Sequence, residues 1–346
     1  MAENNSFTYT DVPSRMRPVS EFMPSRERIA ERLADFGPLK PREPDTDGSV
    51  EHLGDVAFKH HFVDAPGDYD TVRFHYVSCG DETKTPIVFL HGLPDSWFEW
   101  YQHMAVLSQD DYFTVAPDLK GYGQSSKQPG DYRHEGAAEQ LAAMLHVAGI
   151  EKFYLVTHDR GTVQGDYIAA LFPGRVLGYV RGEQHLIHYN PALSSQHDMF
   201  LNAPYNGIMD NPQKLALWAY MWFSARQIPN EAPMLKRVAQ ELAYDGVSKA
   251  VPRYYNSSTF HAEWLDRRRR LMGKWTSPIV ILQGYDSPTQ PREWFNLEEI
   301  RKFVPRAQVL DVKFVPGGHF WPVESPEETT ETIREALKAL AEALHE

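Results

Sequence analysis

The chain has 346 residues, room for two domains or one large one, and 47 acidic against 35 basic side chains give it a formal net charge of −12. So acidic a protein repels phosphate backbones, which argues against nucleic acid as a partner, and 42% hydrophobic with 24% charged residues excludes global disorder. A single cysteine, Cys79, excludes an intramolecular disulfide and a cysteine zinc site, and a polar start with no apolar run longer than 215–223 predicts neither a secretory leader nor a membrane span, hence a cytoplasmic protein.

Residues 1–54 form an extension rich in proline and charge. Within it Ile29, Leu33 and Phe36 share a helical spacing over 26–36 and predict a helix that packs on the main body, until Pro38, Pro41 and Pro44 end the pattern. Residues 56–63 and 71–78 predict a hairpin. The runs 86–90, 112–117 and 153–157 are short, apolar throughout, and stop abruptly at His91-Gly92, Asp118 and His158-Asp159. Such runs are the mark of strands buried on both faces of a parallel sheet. Helical stretches at 135–147 and 161–171 lie between them, so the fold class is α/β, a mostly parallel central sheet flanked by helices. From 186 to 274 the strand signal disappears in favour of aromatic helical sequence ending in Asp266 and four arginines, Arg267 to Arg270, read as a solvated helix face. Strands resume at 278–282 and 308–314, and a helix covers 326–345. The core is therefore split into 55–185 and 275–346 by a helical insertion at 186–274.

Chemistry belongs at the strand ends. Thr157-His158-Asp159-Arg160-Gly161 follows one strand and opens a helix with small residues two before and two after Asp159. That is the steric pattern of a nucleophile elbow, where only small neighbours let strand and helix approach, here with Asp in the reactive place. A carboxylate is a poor acyl-transfer nucleophile but a good one for displacement at sp³ carbon, where it leaves an alkyl ester on the enzyme. The plain alternative is an Asp that caps the helix. In His91-Gly92-Leu93-Pro94 the backbone N–H of Leu93 is placed to pair with that of Arg160 as an oxyanion hole, with His91 structural. His319, in Gly317-Gly318-His319-Phe320, follows the last strand as a candidate general base. Asp286, just past the strand at 279–283, is the candidate that orients it.

On these residues the chain from 55 to 345 resembles the α/β-hydrolase family of epoxide hydrolases and dehalogenases. HGLPDSWFEW at 91–100, VAPDLKGYGQS at 115–125 and GHFWPVESPE at 318–327 are similar to its oxyanion, signature-loop and histidine segments. The resemblance implies an α/β-hydrolase fold whose insertion is a helical cap, and a reaction with no cofactor and no metal. It implies two cap tyrosines on the epoxide oxygen, best matched by Tyr220 and Tyr255 with Tyr254 a rival, and a substrate wall of Trp97, Arg160, Trp222, Tyr254 and Phe320. Epoxide hydrolases place Trp after the nucleophile, where this chain has Arg160. That arginine resembles the carboxylate clamp of haloacid dehalogenases, but their second arginine falls on Val163 and their cap histidine on Met221, although Trp222 matches a halide-binding Trp. Glu183 stands where some dehalogenases carry the acid and rivals Asp286. The leading expectation is epoxide opening to a vicinal diol, with Arg160 on a carboxylate or oxygen-rich group of a small-molecule substrate. A haloacid or haloalkane dehalogenase and a non-hydrolytic tailoring or ligand-binding protein are the alternatives, and a homodimer stays open.

Overall fold

The computed structural model describes residues 25–67, 71–226, 228 and 232–345. Its frame is a sheet of nine strands: β1 Val50–Leu53, β2 Val56–Pro66, β3 Thr71–Cys79, β4 Thr85–Leu90, β5 Tyr112–Pro117, β6 Phe153–Thr157, β7 Val176–Arg181, β8 Ile279–Gly284 and β9 Val309–Val315. They lie in the order β1-β2-β3-β5-β4-β6-β7-β8-β9. The pairs β1–β2, β2–β3 and β3–β5 are antiparallel, and all pairs from β5–β4 onward are parallel. The buried strands are the ones that read as unbroken apolar runs: all five residues of β6 and all six of β8 are buried. Helices Tyr101–Leu107, His134–Val147, Asp159–Leu171 and Pro326–Ala343 pack against the sheet.

Strand β1 is a departure from the sequence reading, which left its residues in the extension. It pairs with β2 from Val50↔Lys59 to Leu53↔Val56 across a two-residue Gly54-Asp55 turn, with Gly54 at φ 62°. A Gly-Asp pair between short strands is itself a hairpin signal; four half-polar residues hid it. Helix Arg26–Phe36 forms as its spacing predicts. It is capped by Ser25, whose Oγ accepts from the Arg28 N–H at 3.1 Å, and buries Ile29. It packs on helix Pro212–Phe223. That explains why the latter is apolar nearly all round: it is covered from two sides.

Between β7 and β8 come helices Ser194–Leu201, Pro212–Phe223, Pro233–Leu242, Pro252–Ser257 and Phe260–Asp266, with shorter turns. Three of these begin with proline, whose fixed φ and missing N–H suit the first helical position. The stretch closes on a π-helical turn, Arg267–Leu271. Here the arginine run departs from a solvated face. Arg267 is buried, with Nε on Asp166 and Nη1 donating to the His185 carbonyl at 2.6 Å. Arg268 Nη1 donates to the Ile187 carbonyl at 2.6 Å, and Arg269 and Arg270 are the exposed pair. No helix among the described residues is long and apolar enough to cross a membrane.

Candidate active site

The strand order sets β4, β6 and β7 side by side, so the loops leaving their carboxyl ends meet. Asp159, just after β6, sits at φ 45°, a left-handed conformation that costs a residue with a Cβ on the order of 1–3 kcal/mol and persists only where its surroundings impose it. Two glycines impose it. A Cβ on Gly161 would meet the Leu90 and His91 carbonyl oxygens, and one on Gly92 would meet the Asp159 side chain. The turn thereby aims the carboxylate out of the sheet edge. Its Oδ1 accepts the Leu93 N–H at 2.9 Å, and its Oδ2 accepts Gln184 Nε2 at 3.3 Å. Among the described residues no bond runs to it from the Arg160 N–H. His91 is structural, as its sequence context implies: Nδ1 lies 2.8 Å from the Gly92 carbonyl, and Nε2 accepts the Leu119 N–H at 3.0 Å.

His319 lies between two carboxylates, with Nε2 3.6 Å from Asp159 Oδ2 and Nδ1 3.3 Å from Glu183 Oε1. Burial by itself pulls an imidazole down, but the Glu183 charge, with Asp159 and Glu99 behind it, outweighs burial and lifts the His319 pKa to about 9. The acid beside the histidine is thus Glu183 and not Asp286. Asp286 is exposed on the turn after β8, where its N–H donates to the Gly317 carbonyl at 2.9 Å. Glu183 is fully buried beyond β7, and its Oε1 accepts Ser287 Oγ at 2.5 Å and Thr289 Oγ1 at 3.1 Å. The segment after β8 therefore supplies hydroxyl donors to the acid rather than the acid itself.

The histidine loop is tied down on three sides. The His319 N–H donates to the Phe223 carbonyl at 2.9 Å. Glu324 accepts the Gly318 N–H at 3.0 Å and the Ala225 and Arg226 N–H groups at 2.8 Å. From below, His158 Nε2 donates to the His319 carbonyl at 2.7 Å, while its Nδ1 lies 2.6 Å from Glu99 Oε1.

A cavity opens over Asp159, leaving about 50 Å³ for the centres of water molecules. Leu93, Tyr255 and Phe320 line it as the sequence suggests. Tyr255 is buried, and no hydrogen bond engages its hydroxyl among the described residues. Burial drives its phenol well above the ordinary tyrosine range, so the group stays protonated. The other aromatic candidates do not line it. Helix Pro212–Phe223 turns Trp218, Ala219 and Phe223 to the cavity; Tyr220 falls on another face, and Trp222, one turn from Trp218, packs beside it at 4.4 Å without lining the cavity. Tyr220 donates to buried Asp95 Oδ1 at 2.7 Å, and Trp222 stacks on Phe223 at 4.6 Å. Tyr254, one residue from Tyr255 and so rotated away from it, donates to the Lys120 carbonyl at 2.8 Å. Trp97 is buried against Phe58 and beneath the Arg237 guanidinium, 5.5 Å from its ring.

Arg160 lines the cavity with both terminal nitrogens engaged, while its Nε is buried with no partner among the described residues. Nη1 donates to Glu263 Oε2 at 3.0 Å and Nη2 to Oε1 at 2.7 Å, and Nη2 also meets His134 Nε2. Burial opposes both charges of this pair. Arg160 and His134 nonetheless hold the Glu263 carboxyl down at about 2, and Glu263 keeps the guanidinium charged. A fixed cation here is thus explained by a protein carboxylate, which overturns the expected clamp on a substrate anion. Five polar wall residues escaped the sequence reading: Gln184, His185, Gln196, Thr289 and Gln290. Only the first two carried a signal, since they follow directly on the end of β7.

A family model described as alpha/beta hydrolase fold matches residues 85–326. Epoxide hydrolase 3 of Siraitia grosvenorii is 34% identical over 124 residues, 35% of this chain and 39% of that protein; the chain thus matches about two fifths of that relative's length. A crystal structure of an epoxide hydrolase from Vigna radiata is similar with a TM-score of 0.66 at 20% identity, over 82% of this chain and 98% of that one. A bacterial membrane phospholipase A is similar with a TM-score of 0.60 at 21% identity, over 82% and 87%. Likenesses this distant are likenesses of fold.

Proposed function

The chain belongs to the alpha/beta hydrolase fold family, and from that premise we propose that it opens epoxides to vicinal diols through an ester on Asp159. The observation that carries this reading is an aspartate in the elbow that shares a cavity with a tyrosine whose hydroxyl has no hydrogen-bond partner among the described residues, with His319 beside the aspartate. The segment 186–274 acts as the lid that brings Tyr255 over the nucleophile.

In the first step an Asp159 oxygen attacks an epoxide carbon, the C–O bond of the ring breaks, and the departing oxygen takes the Tyr255 proton. Esterification discharges Asp159 and so removes one of the charges that hold a proton on His319, which passes to solvent. The neutral imidazole, kept in place by Glu183, then takes a proton from water as the water oxygen attacks the ester carbonyl carbon. The Leu93 N–H, already 2.9 Å from Oδ1, steadies the oxyanion. Collapse expels the diol, whose alkoxide is protonated by the imidazolium; the Asp159 carboxyl gives the second water proton to solvent, and Tyr255 and His319 each regain a proton from it. The dehalogenase reading loses support, because Glu263 occupies both terminal nitrogens of Arg160 and Trp222 is not among the residues that line the cavity. The test is intact-mass spectrometry of His319→Gln with a panel of epoxides. An adduct of the mass of the epoxide, mapped to Asp159, is expected. No adduct across the panel, or halide release from haloacids by the unaltered protein, would overturn the reading.

A further inference from the structure

The proposed reaction leaves part of the cavity wall idle, and that part is polar. Gln290, beyond β8, is 4% exposed and lines the cavity. Its backbone N–H donates to Ser287 Oγ at 3.3 Å, but among the described residues no hydrogen bond engages its side-chain amide. Gln196, on helix Ser194–Leu201, lines the same space, and its amide is likewise unengaged among them. His185 is 3% exposed and lines it too, and its Nε2 has no hydrogen-bond partner among the described residues. Burial, with the Arg267 and Arg181 cations close by, holds that imidazole down at about 3, so it presents a neutral ring. A buried imidazole nitrogen left unpaired is unfavourable, and a cavity lined by it and by two uncommitted amides discriminates against ligands unable to bond them.

Charge and size narrow the ligand further. Asp159 and Glu183 flank the protonated His319, and Glu263 takes both terminal nitrogens of the guanidinium on the wall, so three carboxylates stand against two cations. An anionic ligand therefore meets a net negative site. The cavity, about 50 Å³ in volume, suits only a small ligand. We propose that the substrate is a small uncharged epoxide carrying a hydroxyl, carbonyl or amide next to the ring, and that Gln290 selects it by hydrogen bonding to that group. The proposal rests on Asp159 as the nucleophile of an epoxide hydrolase and deepens that reading.

Three probes separate the cases: glycidol; 1,2-epoxybutane, in which a methyl replaces the hydroxyl; and the glycidate anion. The protein should turn over glycidol with a kcat/KM at least about tenfold above 1,2-epoxybutane, with glycidate slowest. Gln290→Leu and the more flexible Gln290→Met should both bring the kcat/KM for glycidol to within about twofold of that for 1,2-epoxybutane. The ratio excludes simple misfolding, which lowers both rates together and leaves it unchanged. Equal turnover of glycidol and 1,2-epoxybutane by the unaltered protein overturns the substrate class, and an undiminished preference in both variants overturns the assignment to Gln290. Failure of the reading beneath is distinguishable, because His319→Gln would then gain no adduct from any of the three.

Discussion

Arg160 and Glu263 illustrate how a buried charge is decided by its partner. The guanidinium lies 4% exposed beside the nucleophile, over the rings of Tyr255 at 5.6 Å and Phe260 at 5.3 Å. Its two bonds to Glu263 offset the loss of water. Glu263→Ala leaves that charge buried and unpaired, and should destabilise the fold by about 3–5 kcal/mol in urea unfolding. The pH dependence has a definite sign. With the folded carboxyl at about 2 and its ordinary value at 4.5, the pair's contribution is present above about pH 4.5 and fades as the pH falls toward 2. The variant's deficit should therefore shrink over that interval, and a deficit that stays constant there would contradict the ion pair. At this scale the sequence is legible where chemistry is local. The elbow and the Leu93 loop follow from small residues at fixed offsets, and Asp159, Leu93 and His319 come together as read. The choice between Asp286 and Glu183 is not local. Both follow strands, and only the sheet decides that one side chain is buried against His319 while the other faces solvent. The same holds for Tyr254 and Tyr255, adjacent in the chain and separated by the rotation of one helical residue.

The segment that precedes the sheet works as a strap at the scale of elements. Glu51, on β1, accepts Arg237 Nη1 at 2.9 Å and Nη2 at 3.0 Å from helix Pro233–Leu242, and Arg42 Nη2 at 3.0 Å. Arg42 also bonds Asp45, whose N–H donates to Gln124 Oε1 at 2.7 Å in the loop after β5. Gln240 Nε2 of the same helix donates to the Lys40 carbonyl at 2.9 Å. Strap, inserted helices and core thus share one polar seam. Burial would raise the Glu51 carboxyl, but His60, Arg237 and Arg42 outweigh it and bring it to about 2. Glu51→Ala should cost about 2 kcal/mol and accelerate amide exchange in Pro233–Leu242 ahead of the sheet, because Arg237 then keeps only Glu241. Unchanged exchange in that helix would show that the strap does not hold it. The helix of the strap was legible from Ile29, Leu33 and Phe36. Strand β1 was not, because four residues carry too little alternation to outweigh the prolines before them.

For the molecule as a whole, alternation of strand and helix and its loss between 186 and 274 fix the class of fold, and both survive in the structure as a parallel sheet with helices inserted between β7 and β8. The strand order β5-β4-β6-β7 was beyond the sequence, yet it is what sets Leu93, Asp159 and Glu183 on neighbouring strand ends. His319 comes from the far edge, after β9, and its loop is held by the His319 N–H on the Phe223 carbonyl, at the end of an inserted helix, and by the Gly318 N–H on Glu324. A frame shared with a phospholipase leaves the chemistry open; the proposed reaction rests on the residue in the elbow, since a carboxylate there suits displacement at carbon rather than acyl transfer. The most direct test of Asp159 as nucleophile is a single turnover in H₂¹⁸O with enzyme in excess over a small epoxide. An ester intermediate predicts unlabelled diol and ¹⁸O in the carboxyl group of the Asp159 peptide, because water attacks the ester carbonyl and the diol departs with an aspartate oxygen. Labelled diol with an unlabelled Asp159 peptide would mean direct attack of water on the epoxide and would contradict the account.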